Sequence, residues 1–386
     1  MAIAPYPALS FTESFETQID DLLLRICSEL QLDETKYKLA EAHYQAVGKW
    51  MEARESPVAV LKPIIYPQGS MRLNTTVKPL VGDEYDLDFV CELICLPSFF
   101  RHPVDALDLI ERRLRDNETY RRMLERTNRC IRLNYEHQFH MDILPACKDP
   151  NNGGTCIVVP DRKLEDWKPS NPKGYASWFD SRASQVLIGQ LLEKAEPIPD
   201  QEAVAEKATL KLAVQLLKRW RDIRYKSICD LAPISIVLTT LSAQAYRGER
   251  SVARAIAKIL AEISELARTS YPRIKVSNPS NADEDLSEKW DAKPEAYREF
   301  VKGISDLDAQ WKALMQTRGI DRVTRVLEDL FGEEIAKQVV EKQTRDIEAA
   351  RGRNELSIKK GSGIITGLAS SSAIPIPRNT FYGDEK

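Results

Sequence analysis

Gln68-Gly69-Ser70-Met71-Arg72, followed by Tyr85-Asp86-Leu87-Asp88-Phe89-Val90, is the stretch on which the reading of this chain turns. In the second segment carboxylates alternate with apolar residues, so on an extended strand Asp86 and Asp88 share one face while Leu87 and Phe89 point into a core. The segment His140-Met141-Asp142-Ile143-Leu144 repeats the alternation. Its carboxylate completes a three-acid site if that strand lies beside the first. In the first segment a glycine turn can aim backbone N–H groups, and Ser70 its hydroxyl, at phosphate oxygens. Hard divalent cations take carboxylate oxygens, and in-line displacement at a phosphate is served by two such ions about 3.5–4 Å apart. Asp86, Asp88 and Asp142 are therefore the candidate metal ligands and catalytic residues, and Gly69 and Ser70 the candidate phosphate contacts.

Composition limits the alternatives. A chain of 386 residues exceeds the roughly 250–300 at which single cores stop growing, so two lobes are expected. A net charge of −3 argues against a standing nucleic-acid partner. Seven cysteines at irregular spacing, with no secretory h-region at the start, predict reduced thiols and a cytoplasmic location. Cys147 and Cys156 with His137 or His140 lack the close Cys pair of a zinc site and read as ordinary thiols, and His140 as a core histidine outside the site. No run of about 18 apolar residues predicts a membrane span.

Along the chain, Ser10 or Thr12 can cap an opening helix carrying Leu22–Leu24 and Ile26, and a second apolar period runs from 37 to 51; the two are expected as a spine across both lobes. Strands are expected at 62–66, 84–92, 129–135, 138–144 and 156–160, with a helix at about 103–125 after Pro103. Helices follow at about 174–194, 201–226, 232–247, 251–268 and 294–315, with a loop at 277–283.

The Gly-Ser turn, the three aspartates and the segment Leu217-Lys218-Arg219-Trp220-Arg221-Asp222 together resemble the bacterial CD-NTases, relatives of cyclic GMP-AMP synthase and oligoadenylate synthase. Trp167-Lys168-Pro169-Ser170-Asn171-Pro172-Lys173-Gly174 and Pro377-Arg378-Asn379-Thr380-Phe381-Tyr382-Gly383 are similar to segments of the family's anti-phage synthases. The resemblance implies an α+β fold: a polymerase-β-like mixed-sheet lobe (1–165), a helical, oligoadenylate-synthase-like lobe (166–360) and a C-terminal tail (361–386), with the active site in the cleft between the lobes. It also implies two Mg²⁺ ions, with Mn²⁺ able to replace them, and NTP substrates, ATP and GTP foremost. The product would be a cyclic di- or trinucleotide read by a downstream effector. A template-independent RNA-end nucleotidyltransferase shares the Gly-Ser and aspartate pattern but calls for a basic groove, which the mixed charges after 294 do not supply. A non-catalytic nucleotide-binding antitoxin has no need of three mutually repelling carboxylates.

By the same resemblance Lys218 and Ser235 face the β- and γ-phosphates. Leu210, Val214, Leu217 and Trp220 form a buried stripe, leaving Lys207 on a solvated basic face where its loss should matter little. Trp178, Phe179 and Tyr246 are the aromatics available to stack on bases. The tail from Gly361 is poor in helical period and is expected to be mobile, yet it carries Ile374, Ile376, Phe381 and Tyr382. The resemblance implies capture of that tail by a ubiquitin-transfer-like (E1/E2-like) conjugation partner.

Overall fold

A computed structural model of the chain describes residues 11–80, 82–136, 138–184, 198–353, 357–359, 365–366 and 373–375. It opens with α1 (Phe11–Leu30) and α2 (Glu34–Glu52). Asp33 caps α2 by accepting the Lys36 N–H at 2.9 Å; Ser10 lies outside the described residues. The two helices serve separate cores. Ile19, Leu23 and Ile26 of α1 join the helical cluster, while Tyr44, Val47 and Met51 of α2 pack under the sheet. The expected spine is divided between the lobes.

The sheet is built from β1 (Ile64–Pro67), then a single-turn α3 (Gly69–Arg72), then β2 (Tyr85–Leu93). There follow α4 (Val104–Arg115), α5 (Glu118–Met123), β3 (Leu124–Arg126), β4 (Ile131–Tyr135), β5 (Phe139–Lys148), β6 (Ile157–Asp161) and β7 (Asp166–Ser170). The strand order is β1-β2-β5-β4-β3, with β6 on β5 and β7 on β6. Among the described strands of this sheet only β2 and β5 run parallel, as the long crossover through α4 and α5 permits; the other pairings are antiparallel, so the mixed sheet is as expected. Leu87 and Phe89 of β2, with Met141 and Ile143 of β5, pack on Leu107, Ile110 and Leu114 of α4. The single helix expected at 103–125 is two. Asn117 interrupts it, its side chain accepting the N–H groups of Thr119 and Tyr120 at 2.9 and 3.2 Å and so starting α5.

The remainder is mainly helical: α6 (Pro172–Ser184), α7 (Thr209–Arg224), α8 (Ser235–Ala245) and α9 (Val252–Thr269), then a hairpin of β8 (Ser277–Asn278) and β9 (Asn281–Asp285). Next come α10 (Lys289–Ala292), α11 (Pro294–Gln316), α12 (Ile320–Phe331) and α13 (Glu333–Gly352). The stretch expected as a loop at 277–283 keeps its turn but pairs on either side of it, Asn278 accepting the Ser280 N–H at 2.9 Å. Helix α7 starts at Thr209 and not near 201, because the chain before it is tied elsewhere: the Glu202 N–H donates to the Asn74 side chain at 3.3 Å. Helices α12 and α13, which the periodic reading did not extend to, are preceded by Gly319 and Gly332 at φ +89° and +99°, where a side chain would be strained. The tail is not wholly irregular. β10 (Ser357–Lys359) pairs with both β11 (Ile365–Thr366) and β12 (Ala373–Pro375), and Ile374 stands opposite Ile358. Ile376, Phe381, Tyr382 and the part of the expected 174–194 helix beyond 184 lie outside the described residues. Among the described residues no helix is long and apolar enough to cross a membrane.

Helix α7 ties the helical lobe to the segment that follows the Gly-Ser turn. Every residue from Leu210 to Trp220 is buried, which the expected apolar stripe explains only in part. The polar members meet specific acceptors. Gln215 donates to the Thr76 carbonyl at 2.7 Å, Lys218 to the Thr75 carbonyl at 3.0 Å and Arg219 to the Lys78 carbonyl at 2.6 Å. Lys211 pairs with Glu202. Just before the helix, Lys207 is buried too, its ammonium donating to the side chains of Gln31 at 3.0 Å and Gln215 at 3.3 Å. The solvated role expected for Lys207 is therefore wrong, because its face is covered by the chain around Gln31. Lys207→Ala strands the buried Gln215 oxygen and the partly buried Gln31 oxygen and should cost about 1–3 kcal/mol. Urea unfolding measures it, and a midpoint equal to that of the parent would contradict the burial.

Candidate functional site

The period-2 pattern of β2 is observed: Tyr85, Leu87 and Phe89 are buried, Asp86 is exposed and Asp88 half-buried. Parallel pairing with β5 sets Asp86 beside His140 and Asp88 beside Asp142. The sheet thus brings the three expected aspartates onto one face, at adjacent register positions. Gly69, at φ +63°, passes so close to this edge that a Cβ there would stand 2.5 Å from the Asp88 Oδ2. Only glycine meets both conditions. The Asp88 carbonyl accepts the Gln68 N–H at 2.9 Å, which fixes the Gly-Ser turn to the acid-bearing strand, and the Ser70 hydroxyl accepts from Thr76 at 3.2 Å.

These groups line a cleft of about 920 Å³. One wall is Gln68, Gly69, Ser70, Asp86 and Asp88; the other is Lys218, Arg221 and Asp222 of α7 with Ser235 of α8. All seven expected site residues are therefore at or beside one cleft, but they are not equivalent. The Asp86 side chain is 58% exposed, whereas that of Asp142 is 14% exposed and sits behind Arg132. The Arg132 guanidinium grips Asp142 with both arms, Nε to Oδ1 and Nη2 to Oδ2 at 2.7 Å each, and its Nη2 is 3.6 Å from Asp86 Oδ1. Among the described residues no three acidic, histidine or cysteine side chains converge closely enough to hold one ion together.

The electrostatics follow from crowding. Loss of water around Asp88, reinforced by Asp86 and Asp142, pushes its pKa up to about 7. Burial also raises Asp86, against the pull of Arg132. Burial pushes the Lys218 ammonium down to about 8, with Asp222 opposing. Arg221 donates to the Ser235 hydroxyl at 2.7 Å, so the serine expected at the phosphates is already oriented by a cation.

The aromatics expected to stack on bases do not line the cleft: Phe179 and Tyr246 are buried in the helical core, and Trp178 packs against that core with its ring tilted on Tyr175. Apolar contact in the cleft comes instead from Leu73, Val77, Pro79, Leu80 and Ile236. Conversely, Arg132, Arg221, Asp222 and Thr76 were missed, and His140, left out of the site, lines the cleft with Nδ1 3.4 Å from Glu84 Oε2. The alternation Ile131-Arg132-Leu133-Asn134-Tyr135 carried a signal for Arg132, since it places that residue on the same face as Asn134 and off the core.

Residues 18–182 match the family model of the Second Messenger Oligonucleotide or Dinucleotide Synthetase domain. The chain is 34% identical over 378 residues to a c-di-GMP synthase of Roseivirga ehrenbergii, covering 97% of this chain and 99% of that one. It is 25% identical over 373 residues to the cyclic dinucleotide synthase CdnG of Bradyrhizobium diazoefficiens, covering 90% and 88%. The solved structure of that CD-NTase, CdnG in complex with GTP, superposes with a TM-score of 0.68 at 23% identity, over 84% of this chain and 98% of the other. With its mixed sheet, its helical second lobe and its aspartates at the cleft between them, the chain belongs to the bacterial CD-NTases, nucleotidyltransferases that synthesise cyclic oligonucleotides.

Proposed function

We propose that this chain converts GTP to a cyclic dinucleotide, c-di-GMP, as a messenger for a downstream effector in anti-phage defence. The observation that carries the reading is the register of β2 and β5, which sets Asp86 and Asp88, with Asp142 beside them behind Arg132, at a cleft whose far wall bears Lys218 and Ser235. Support for guanine comes from the likeness to a c-di-GMP synthase across 97% of the chain. At about 920 Å³ the cleft is at the upper end of the ~300–1,000 Å³ usual for small-molecule sites, which suits two nucleotides held together.

The donor set fits Mg²⁺ or Mn²⁺: hard oxygens on one strand face, with Asp88 carrying like-charge strain that a cation relieves. Asp86 and Asp88 would hold the ions and Asp142 would complete one site; bound there, they would lower the pKa of the attacking ribose hydroxyl and neutralise charge at the phosphate and on pyrophosphate. Lys218 gives up the neutral Thr75 carbonyl for a charged triphosphate oxygen, a stronger partner. Ser235, held by Arg221, donates its hydroxyl hydrogen to the same triphosphate. Asp142 stands beside Asp88, where it helps draw the proton from the incoming hydroxyl. One such transfer links two nucleotides and a second closes the ring, each releasing pyrophosphate.

Incubation with GTP alone, ATP alone and the mixture, followed by chromatography, tests the reading. GTP alone should yield c-di-GMP, and a product formed only from the mixture would overturn the base assignment. Asp86→Asn with Asp88→Asn should abolish pyrophosphate release while leaving the unfolding midpoint near that of the parent, because Asp86 and Asp88 lie on the cleft side of the strand. Retained turnover would remove both residues from the mechanism.

The pH dependence has a defined sign. As pH falls through about 7 Asp88 gains a proton that a metal ion must displace, and as pH rises through about 8 Lys218 loses the charge with which it holds phosphate. The kcat/KM should therefore rise through the first value and fall through the second. Lys218→Arg, whose guanidinium does not titrate in this range, should remove the alkaline limb alone. An unchanged alkaline limb in that variant would assign it to another group.

A further inference from the structure

From the bidentate grip on Asp142 we infer that Arg132 is a positioning residue for metal loading. It serves as an internal counter-cation that occupies both Asp142 oxygens and keeps this carboxylate from an ion until nucleotide arrives. The inference rests on the reading of Asp86, Asp88 and Asp142 as the metal-holding acids. Three observations carry it. Both arms of the fork are 2.7 Å from separate Asp142 oxygens, the geometry in which a guanidinium binds a carboxylate most strongly. The same guanidinium extends to within 3.6 Å of Asp86, so one cation serves two of the three acids. Arg132 also lines the cleft, as Asp86 and Asp88 do, so it is in reach of what enters.

The position of Arg132 follows from register. β4 pairs antiparallel with β5 and sets Arg132 directly opposite Asp142, so the pair is fixed by backbone and not by a long flexible reach. Without a positive group there, Asp86, Asp88 and Asp142 would face one another as like charges in a site of low hydration. Arg132 offsets that repulsion, but a divalent ion that takes Asp142 must compete with it. A triphosphate resolves the competition, because the planar fork that fits a carboxylate fits a phosphate equally well. Asp142 is then released as a metal ligand at the moment a nucleotide is present.

The test is Mn²⁺ binding to the full chain without nucleotide, followed by the paramagnetic signal of free Mn²⁺. Arg132→Gln should bind Mn²⁺ at least ten-fold more tightly than the parent, and Arg132→Lys, which keeps the charge and loses the fork, by a smaller factor. Removing a cation from a metal site strengthens binding in a general way, so Asp142→Asn is added to Arg132→Gln. Return of the affinity close to the parental value shows that the gain passes through Asp142, whereas persistence of the whole gain overturns the inference. Parental or weaker affinity in Arg132→Gln overturns it as well. If Arg132→Gln does not fold, the lysine variant decides, tighter binding supporting the inference and parental affinity contradicting it. Asp86→Asn with Asp88→Asn separates the underlying reading: if that variant binds Mn²⁺ as the parent does, the acids are not the metal site and the failure lies there.

Discussion

The parallel pairing of β2 with β5 is the constraint on which the rest depends. It sets Asp88 beside Asp142 and Asp86 beside His140, so Asp142, more than fifty residues further along the chain, shares one sheet face with Asp86 and Asp88. A slip of one residue would turn Asp142 to the packed face and Met141 to the cleft. Register is held by the opposite face, where Leu87, Phe89, Met141 and Ile143 have no other place to go than against α4 and α2. Hydrophobic burial thus fixes the placement of charges that would otherwise repel.

Cations manage that repulsion from two directions. Arg132 approaches from β4 within the sheet, and Lys218 from α7 across the cleft. Lys218 belongs to a row of buried donors, with Gln215 and Arg219, that grips the carbonyls of Thr75, Thr76 and Lys78. The gripped segment follows the Gly-Ser turn and lines the cleft, so the helical lobe sets the shape of a surface that belongs to the sheet lobe. Each of these donors would be costly to strand in a dry interior, so polar bonds as well as apolar contact tie the lobes.

What was legible in the sequence had short period. Alternation over five or six residues identified β2 and β5, and the left-handed Gly69 with its Ser70 was evident as a turn. Register was not legible, and although the adjacency of the Asp142 strand to the Asp86 strand was expected, Arg132 became part of the site only through its partner on a neighbouring strand. Lys207 was misread because the group that buries it, Gln31, comes from another helix-to-helix junction far up the chain. Phe179 and Tyr246 were misread for a related reason. An aromatic at helical spacing packs either into a core or into a cleft, and only the tertiary position of α6 and the end of α8 decides which.

In the proposed mechanism Asp86 and Asp88 present a joint metal site to a nucleotide held by α7. Anomalous scattering from crystals grown with Mn²⁺ and a non-hydrolysable GTP analogue measures this directly. Mn²⁺ density is expected to touch the carboxylates of both Asp86 and Asp88, with the triphosphate reaching toward Lys218. A triphosphate seated in the cleft with its Mn²⁺ touching neither aspartate would contradict it.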